Sequence, residues 1–305
     1  MHTHAYSPNL GRRLQFSLWI TVVFIIAEIA AGVGAESLAL LADAGHNFTD
    51  SLALLLAWLA FRWQMRPPDK HRTFGYKRTG VLAAFVNAIV LVGLSLFLFW
   101  ESYERFLAPR DVAEGVMIIV AAAGVVVNLA VMKALQADTH DLNVRGAWLH
   151  MLGDALSSAG IIVGAVVIRY TGLNRIDPLL STLIAALILW SAWGIIRESL
   201  EILLEALPAG LNHEEVSAVL KSVDGVLDVH DLHVWSLSAS DRALSCHALI
   251  DDMPPSKSRD ILTKMNELLE EKFHICHTTI QFEHVECEHA ADICTGVHAT
   301  LERTH

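Results

Sequence analysis

The stretch Asp43-Ala44-Gly45-His46-Asn47-Phe48-Thr49-Asp50 decides how this chain is read, because it lies inside an apolar run, residues 37–61, long enough to span a bilayer. His46 and Asp50 stand at i and i+4, so an imidazole and a carboxylate share one helix face. His150-Met151-Leu152-Gly153-Asp154 repeats that spacing inside a second apolar run, residues 144–170. Ionisable side chains at membrane depth are costly and mark ion or substrate pathways. A single pair could equally be a hydrogen-bonded contact between helices. Two identical pairs are harder to explain that way, since packing has no reason to repeat the spacing. Together they offer two nitrogens and two oxygens, a set suited to tetrahedral Zn²⁺, with Co²⁺ and Ni²⁺ also able to bind.

The 305 residues are 53% hydrophobic and 18% charged. That is a membrane composition rather than a soluble one. Four further runs are long enough to cross, at about 14–34, 79–104, 112–135 and 176–198, making six spans. Arg66-Pro67-Pro68-Asp69, Pro109 and Gly172-Leu173-Asn174-Arg175 punctuate them. The first run follows Arg12-Arg13 and is long enough to stay in the membrane, so no cleaved signal is expected. Arg62, Arg66, Lys70, Arg72, Lys77 and Arg78 crowd the loop after the second span, whereas the opposite-side loops hold only Arg105, Arg110, Arg169 and Arg175. By the positive-inside rule both termini are cytoplasmic. With no organellar targeting segment, the bilayer is expected to be a bacterial inner (plasma) membrane.

The charge is uneven. Residues 1–207 hold 15 Lys/Arg against 16 Asp/Glu; residues 208–305 hold 7 against 17, with 10 of the 16 histidines and all four cysteines. Such a tail is a poor partner for nucleic acid and a good one for cations. In a cytosolic tail the cysteines stay reduced and favour metal ligation over disulfides. The pattern predicts a helix over 213–222, strands over 226–237 and 243–251, an amphipathic helix over 256–273 and a last strand over 278–285. The expected fold class is thus an all-α six-helix transmembrane domain plus a small cytosolic α+β (αββαβ) domain. The expected division is a cytoplasmic N-terminal segment, 1–13, the transport domain, 14–207, a metal-binding and dimerisation domain, 208–286, and a Cys/His-bearing tail, 287–305.

The paired HxxxD motifs, the run Ser37-Leu38-Ala39-Leu40-Leu41-Ala42-Asp43-Ala44, the loop Thr73-Phe74-Gly75-Tyr76 and Asp177-Pro178-Leu179 resemble the cation diffusion facilitator family, most closely its zinc-transporting branch. The resemblance covers nearly the whole chain. It implies a homodimeric antiporter that exports cytosolic Zn²⁺ in exchange for protons by alternating access, with His46, Asp50, His150 and Asp154 as transport ligands. His46, where some members have Asp and a broader metal range, points to the zinc-selective type. The resemblance also implies a cytosolic Zn²⁺ site at His230, His247 and Glu283, with Cys276 as a further ligand, where the metal would be structural or regulatory. A tail site would comprise Cys287 and Cys294 with His2 and His4 of the neighbouring subunit. The loop site some relatives have is short of ligands here: Asp69 and His71 are present, but Tyr76 stands where a histidine is expected, and the loop reads better as an anchor on anionic lipid. His233 is read as a packed strand residue or a surface ligand. Glu28, Asn87 and Asn128 read first as interhelical hydrogen-bonding groups and second as the lining of a proton path. Asp43 is either an entry or exit carboxylate near the outer face or a partner for a loop N–H.

The alternatives are an exporter of Co²⁺, Cd²⁺, Fe²⁺ or Mn²⁺, a membrane-tethered metal sensor, and an intramembrane metalloenzyme. A sensor would leave the intramembrane pairs without a purpose. A metalloenzyme would need a general base such as the Glu of HExxH, which the sequence lacks, so no enzymatic activity is expected.

Overall fold

The computed structural model describes residues 8–135 and 142–285. Six long helices come first: α1 (Pro8–Gly34), α2 (Leu38–Gln64), α3 (Thr79–Leu107), α4 (Glu114–Leu135), α5 (Leu142–Thr171) and α6 (Ile176–Leu203). Of these, α3, the Glu114–Lys133 part of α4, the Trp148–Thr171 part of α5, and α6 are each long and apolar enough to cross a membrane. In α2, a helix of 27 residues, Asp43, His46, Asn47, Thr49, Asp50 and Ser51 form a polar stretch between two apolar ones. α1, α2, α3 and α6 overrun their apolar runs by several residues at one end, since the hydrogen-bond ladder continues past the last apolar side chain.

Fully buried small residues, Ala39, Ala42, Ala121, Ala165, Ala185 and Ala192, let the helix backbones approach closely. Leu38, Leu98, Met117 and Ile161 fill the spaces between them. The turn from α1 to α2 is held from two directions. Glu36 adopts a left-handed conformation, φ 53°, that ends α1. Its carbonyl accepts Arg105 Nη1 from α3 at 2.7 Å. The carboxylate of Asp177, at the start of α6, takes Ser37 Oγ and the Leu38 amide at 2.7 Å each and the Ala39 amide at 3.2 Å. A side chain 139 residues away thus caps α2, satisfying N–H groups that have no partner within the helix.

By contacts the chain divides into two compact bodies. Among the described residues, one contains those of 8–59 and 83–196; the other contains 60–82 and 197–285. The second body includes α7 (His213–Lys221), β1 (Val226–Ser236), β2 (Arg242–Ile250), α8 (Pro255–Phe273) and β3 (Ile275–Glu283). The sheet order is β1-β2-β3, antiparallel then parallel. Val216 and Leu220 of α7 and Ile261, Met265, Leu269 and Phe273 of α8 are buried in one core with the sheet. The expected αββαβ order is present, with one boundary corrected. His274, left-handed at φ 54°, ends α8 and turns the chain directly into β3, which starts at Ile275 rather than near 278.

Candidate metal centre

The two HxxxD pairs face each other across α2 and α5. His150 Nε2 lies 3.0 Å from Asp50 Oδ2 and 3.7 Å from Asp154 Oδ2. His46 Nε2 lies 3.6 Å from Asp50 Oδ2 and 3.7 Å from Asp154 Oδ1. The result is a closed ring in which imidazole and carboxylate alternate, so that each imidazole faces carboxylates from both helices. Ligand atoms of His46, Asp50 and Asp154 all fall within 4.8 Å of one another. His150 completes the ring, its imidazole edge-on to that of His46 with centroids 5.9 Å apart. Partners are His46 with Asp154 and Asp50 with His150, numbers rising on α2 as they fall on α5. The two helices are therefore antiparallel, and the ring occupies two successive layers between them.

The next layer is polar as well. Ser157 Oγ donates to Asp43 Oδ1 at 2.8 Å and Ser158 Oγ to Asp43 Oδ2 at 3.1 Å. Asp43 is buried, and its partners are α5 hydroxyls rather than a loop amide. Asn47 Nδ2 donates to Glu28 Oε2 of α1 at 3.3 Å, so Glu28 does join helices as expected.

In the α+β domain, β1 and β2 pair His230 with His247, and β2 and β3 pair Leu249 with Glu283. Glu283 Oε1 is 2.9 Å from His247 Nδ1, and Oε2 is 3.2 Å from His230 Nε2. The last two atoms are buried and close but not hydrogen-bonded. Lone pairs facing one another in this way fit a bound cation such as Zn²⁺, for which two imidazole nitrogens and a carboxylate are suitable donors.

Sequence reasoning missed Asp231. Strict alternation points it away from His230, but a β-bulge interrupts the register between His230 and His233, and Asp231 takes φ 48°. Its carboxylate reaches His233 Nε2 at 3.0 Å and approaches His247 Nε2 at 3.9 Å. No signal in the sequence announces the bulge. His233 is exposed rather than packed.

Cys276 is not brought to this cluster. It is exposed on β3, seven residues before Glu283, roughly 23 Å away at about 3.3 Å per residue and on the opposite face. Cys246 is buried in the core, where burial, then the nearby Asp231 charge, pushes its thiol up to about 12. Cys287, Cys294, His2 and His4 lie outside the described residues. In the basic loop, Asp69 Oδ1 accepts the amides of His71 (2.7 Å) and Arg72 (2.8 Å), and Oδ2 accepts Tyr76 Oη (3.3 Å). Those backbone amides hold its carboxyl below the usual range. Asp69 thus shapes the turn.

His247→Ala is expected to weaken Zn²⁺ binding at the three-residue cluster by roughly 100-fold, because groups that merely orient a ligand already contribute about 10–100-fold. Cys276→Ala should leave that affinity unchanged. Competition with a chromophoric chelator measures both, and equal losses in the two variants would overturn the grouping.

Known sequences resemble the chain over nearly its whole length. Residues 14–204 match the profile of the cation efflux transmembrane domain, and residues 208–285 that of the cation efflux protein cytoplasmic domain. The zinc transporter ZitB of Escherichia coli (strain K12) is 39% identical over 291 residues, 94% of this chain and 92% of that one. The metal cation efflux system protein CzcD of Cupriavidus metallidurans is 38% identical, covering 95% and 92%. A Bacillus subtilis protein named cadmium, cobalt and zinc/H(+)-K(+) antiporter is 38% identical, covering 92% of this chain and 91% of its own.

Proposed function

Since the chain belongs to the cation efflux family, also called the cation diffusion facilitators, we propose that it exports Zn²⁺ from the cytosol in exchange for protons, with His46, Asp50, His150 and Asp154 holding the metal in transit. The observation that carries this is the alternating ring closed between α2 and α5 at 3.0–3.7 Å. A carrier needs ligands that leave water, bind a dication and release it again. Because the ring is split between two helices, relative movement of α2 and α5 opens or tightens it.

The chemistry of the ring supplies the coupling. A metal needs neutral imidazole and ionised carboxylate, so protons and metal compete for the same four side chains. Facing the cytosol, the ring loses protons and loads; facing the other side, protons return and displace the ion. The two-nitrogen, two-oxygen set favours Zn²⁺ over the harder Mg²⁺ and Ca²⁺. Co²⁺ and Cd²⁺ are the next substrates to test, and the name of the Bacillus subtilis relative includes both.

The remaining assignments follow from the same reading. The protein works as a homodimer in the inner membrane with both termini cytoplasmic. Residues 14–207 carry transport, and residues 208–286 bind Zn²⁺ through His230, His247 and Glu283 and join the subunits. Everted vesicles containing the full-length protein test the proposal. Zn²⁺ uptake should follow an imposed pH gradient and stop when a protonophore collapses it. Uptake indifferent to the gradient would refute proton exchange, and no uptake of any divalent ion would refute export.

A further inference from the structure

Beyond the ring of four, the membrane interior holds a second pair of acids. Glu28 on α1 and Asp43 on α2 are 0% and 1% exposed. Both oxygens of Asp43 accept a serine hydroxyl from α5, at 2.8 and 3.1 Å, so Asp43 is supplied with donors as an anion. Glu28 differs. Its Oε2 takes only Asn47 Nδ2, its Oε1 is buried with no donor, and its carboxyl faces that of Asp43. The sequence has no Lys or Arg between Arg13 and Arg62 or between Arg145 and Arg169, so α1, α2 and α5 supply no fixed cation at this depth. The charges of α4, Glu114 and Lys133, lie at its ends. The titratable groups that face the pair are His46 from α2 and Asp154 from α5.

Two acceptor groups facing each other in a dry bundle repel unless a proton lies between them or a cation nearby offsets their charge. Hydroxyl donors already occupy Asp43, which leaves the proton to Glu28. On α2, Asp43 precedes His46 by three residues, about one helical turn, so a dication in the ring sits one layer from the pair. We infer that Glu28 is a proton-holding site of the antiporter, distinct from the metal ligands, which carries its proton while the ring is metal-free and gives it up when a divalent cation binds there. The event is a simple ionisation. The Glu28 O–H breaks, the carboxylate remains facing the hydroxyl-bonded Asp43, and the proton leaves to the side from which the metal came. Metal departure reverses it. The inference rests on the exchange reading above and adds a place where one exchanged proton resides.

The test counts protons. Full-length protein in detergent and weak buffer is titrated with Zn²⁺, and proton release is read with a pH indicator against bound metal. Glu28→Gln keeps an acceptor for Asn47 but has no proton to lose, so it should bind Zn²⁺ and release one proton fewer per bound ion than the wild type. Infrared difference spectra of the wild-type protein should show loss of a protonated carboxyl C=O band on adding Zn²⁺, and that component should be absent from Glu28→Gln. If the glutamine variant is not recovered folded, Glu28→Ala should show the same missing proton. Should a metal-binding Glu28 variant release the wild-type number, or the wild-type spectrum show no such loss, the assignment is overturned. His46→Ala separates the two readings: Zn²⁺ binding in the membrane domain that survives this change undermines the metal ring, whatever Glu28 does.

Discussion

Asp154→Ala should reduce Zn²⁺ export in everted vesicles by more than about 100-fold while the protein still folds, since under the proposed function it deletes a direct ligand and groups one step further out already contribute about 10–100-fold. Asp154 lies at the most enclosed point of the ring, 3.7 Å from both imidazoles, with 7% of its side chain exposed. Removing it leaves His46 and His150 with only Asp50 between them, too few charges to hold a dehydrated dication. His46→Ala should be nearly as damaging, because His46 bridges Asp50 and Asp154. The control is Asp69→Ala, whose carboxylate serves only the loop turn and which should keep most of the transport. Initial rates at saturating and limiting Zn²⁺ distinguish lost affinity from lost turnover. Wild-type rates in both ring variants would remove the four residues from the mechanism.

The second large effect is expected far from the ring. Asp177→Ala deprives Ser37 Oγ and the amides of Leu38 and Ala39 of a buried acceptor. Each buried donor left unsatisfied costs about 1–3 kcal/mol, so the loss should come to roughly 3–5 kcal/mol, allowing for partial recovery through Ser37. Asp177→Asn keeps one acceptor oxygen but turns an NH₂ group towards backbone donors, and should fall between the two. The apparent unfolding midpoint in detergent should drop by several degrees in the alanine variant. Because the capped helix carries His46 and Asp50, transport should decline with it. An unchanged midpoint would mean that water or a neighbouring group replaces the carboxylate and that the contact between α6 and α2 is incidental.

Most of the architecture is legible in local sequence patterns. Six helices follow from six apolar runs because a bilayer forces the backbone to satisfy its own hydrogen bonds, leaving helix as the available local solution for runs of that length. The αββαβ order follows from a 3.6-residue period in α7 and α8 and a two-residue period in β1 and β2. The ring was legible for a related reason. His46 with Asp50, and His150 with Asp154, are i and i+4 pairs whose geometry is fixed within one helix. Only the meeting of the two pairs required the tertiary fold.

Other features depended on contacts that no local pattern encodes. Asp177-Pro178 looks like a helix start, and nothing near it says that its carboxylate caps a helix 139 residues earlier. Asp231 changes face because a bulge inserts an unpaired residue, and the register of β1 on β2 is a property of two strands rather than one. Cys276 stood in a plausible ligand position in the sequence. It lies out of reach because it shares one extended strand with Glu283, seven residues away and on the opposite face.

Six long helices, the order of the small domain and the i, i+4 spacing of the two His/Asp pairs are already written in the chain, because backbone hydrogen bonding and helical periodicity act over a few residues. The tertiary structure alone decided which carboxylate faces which imidazole, which helix end Asp177 caps, and that Glu28 lies against Asp43. Those outcomes depend on how separate helices pack, and side chains distant in sequence become partners only when the helices meet.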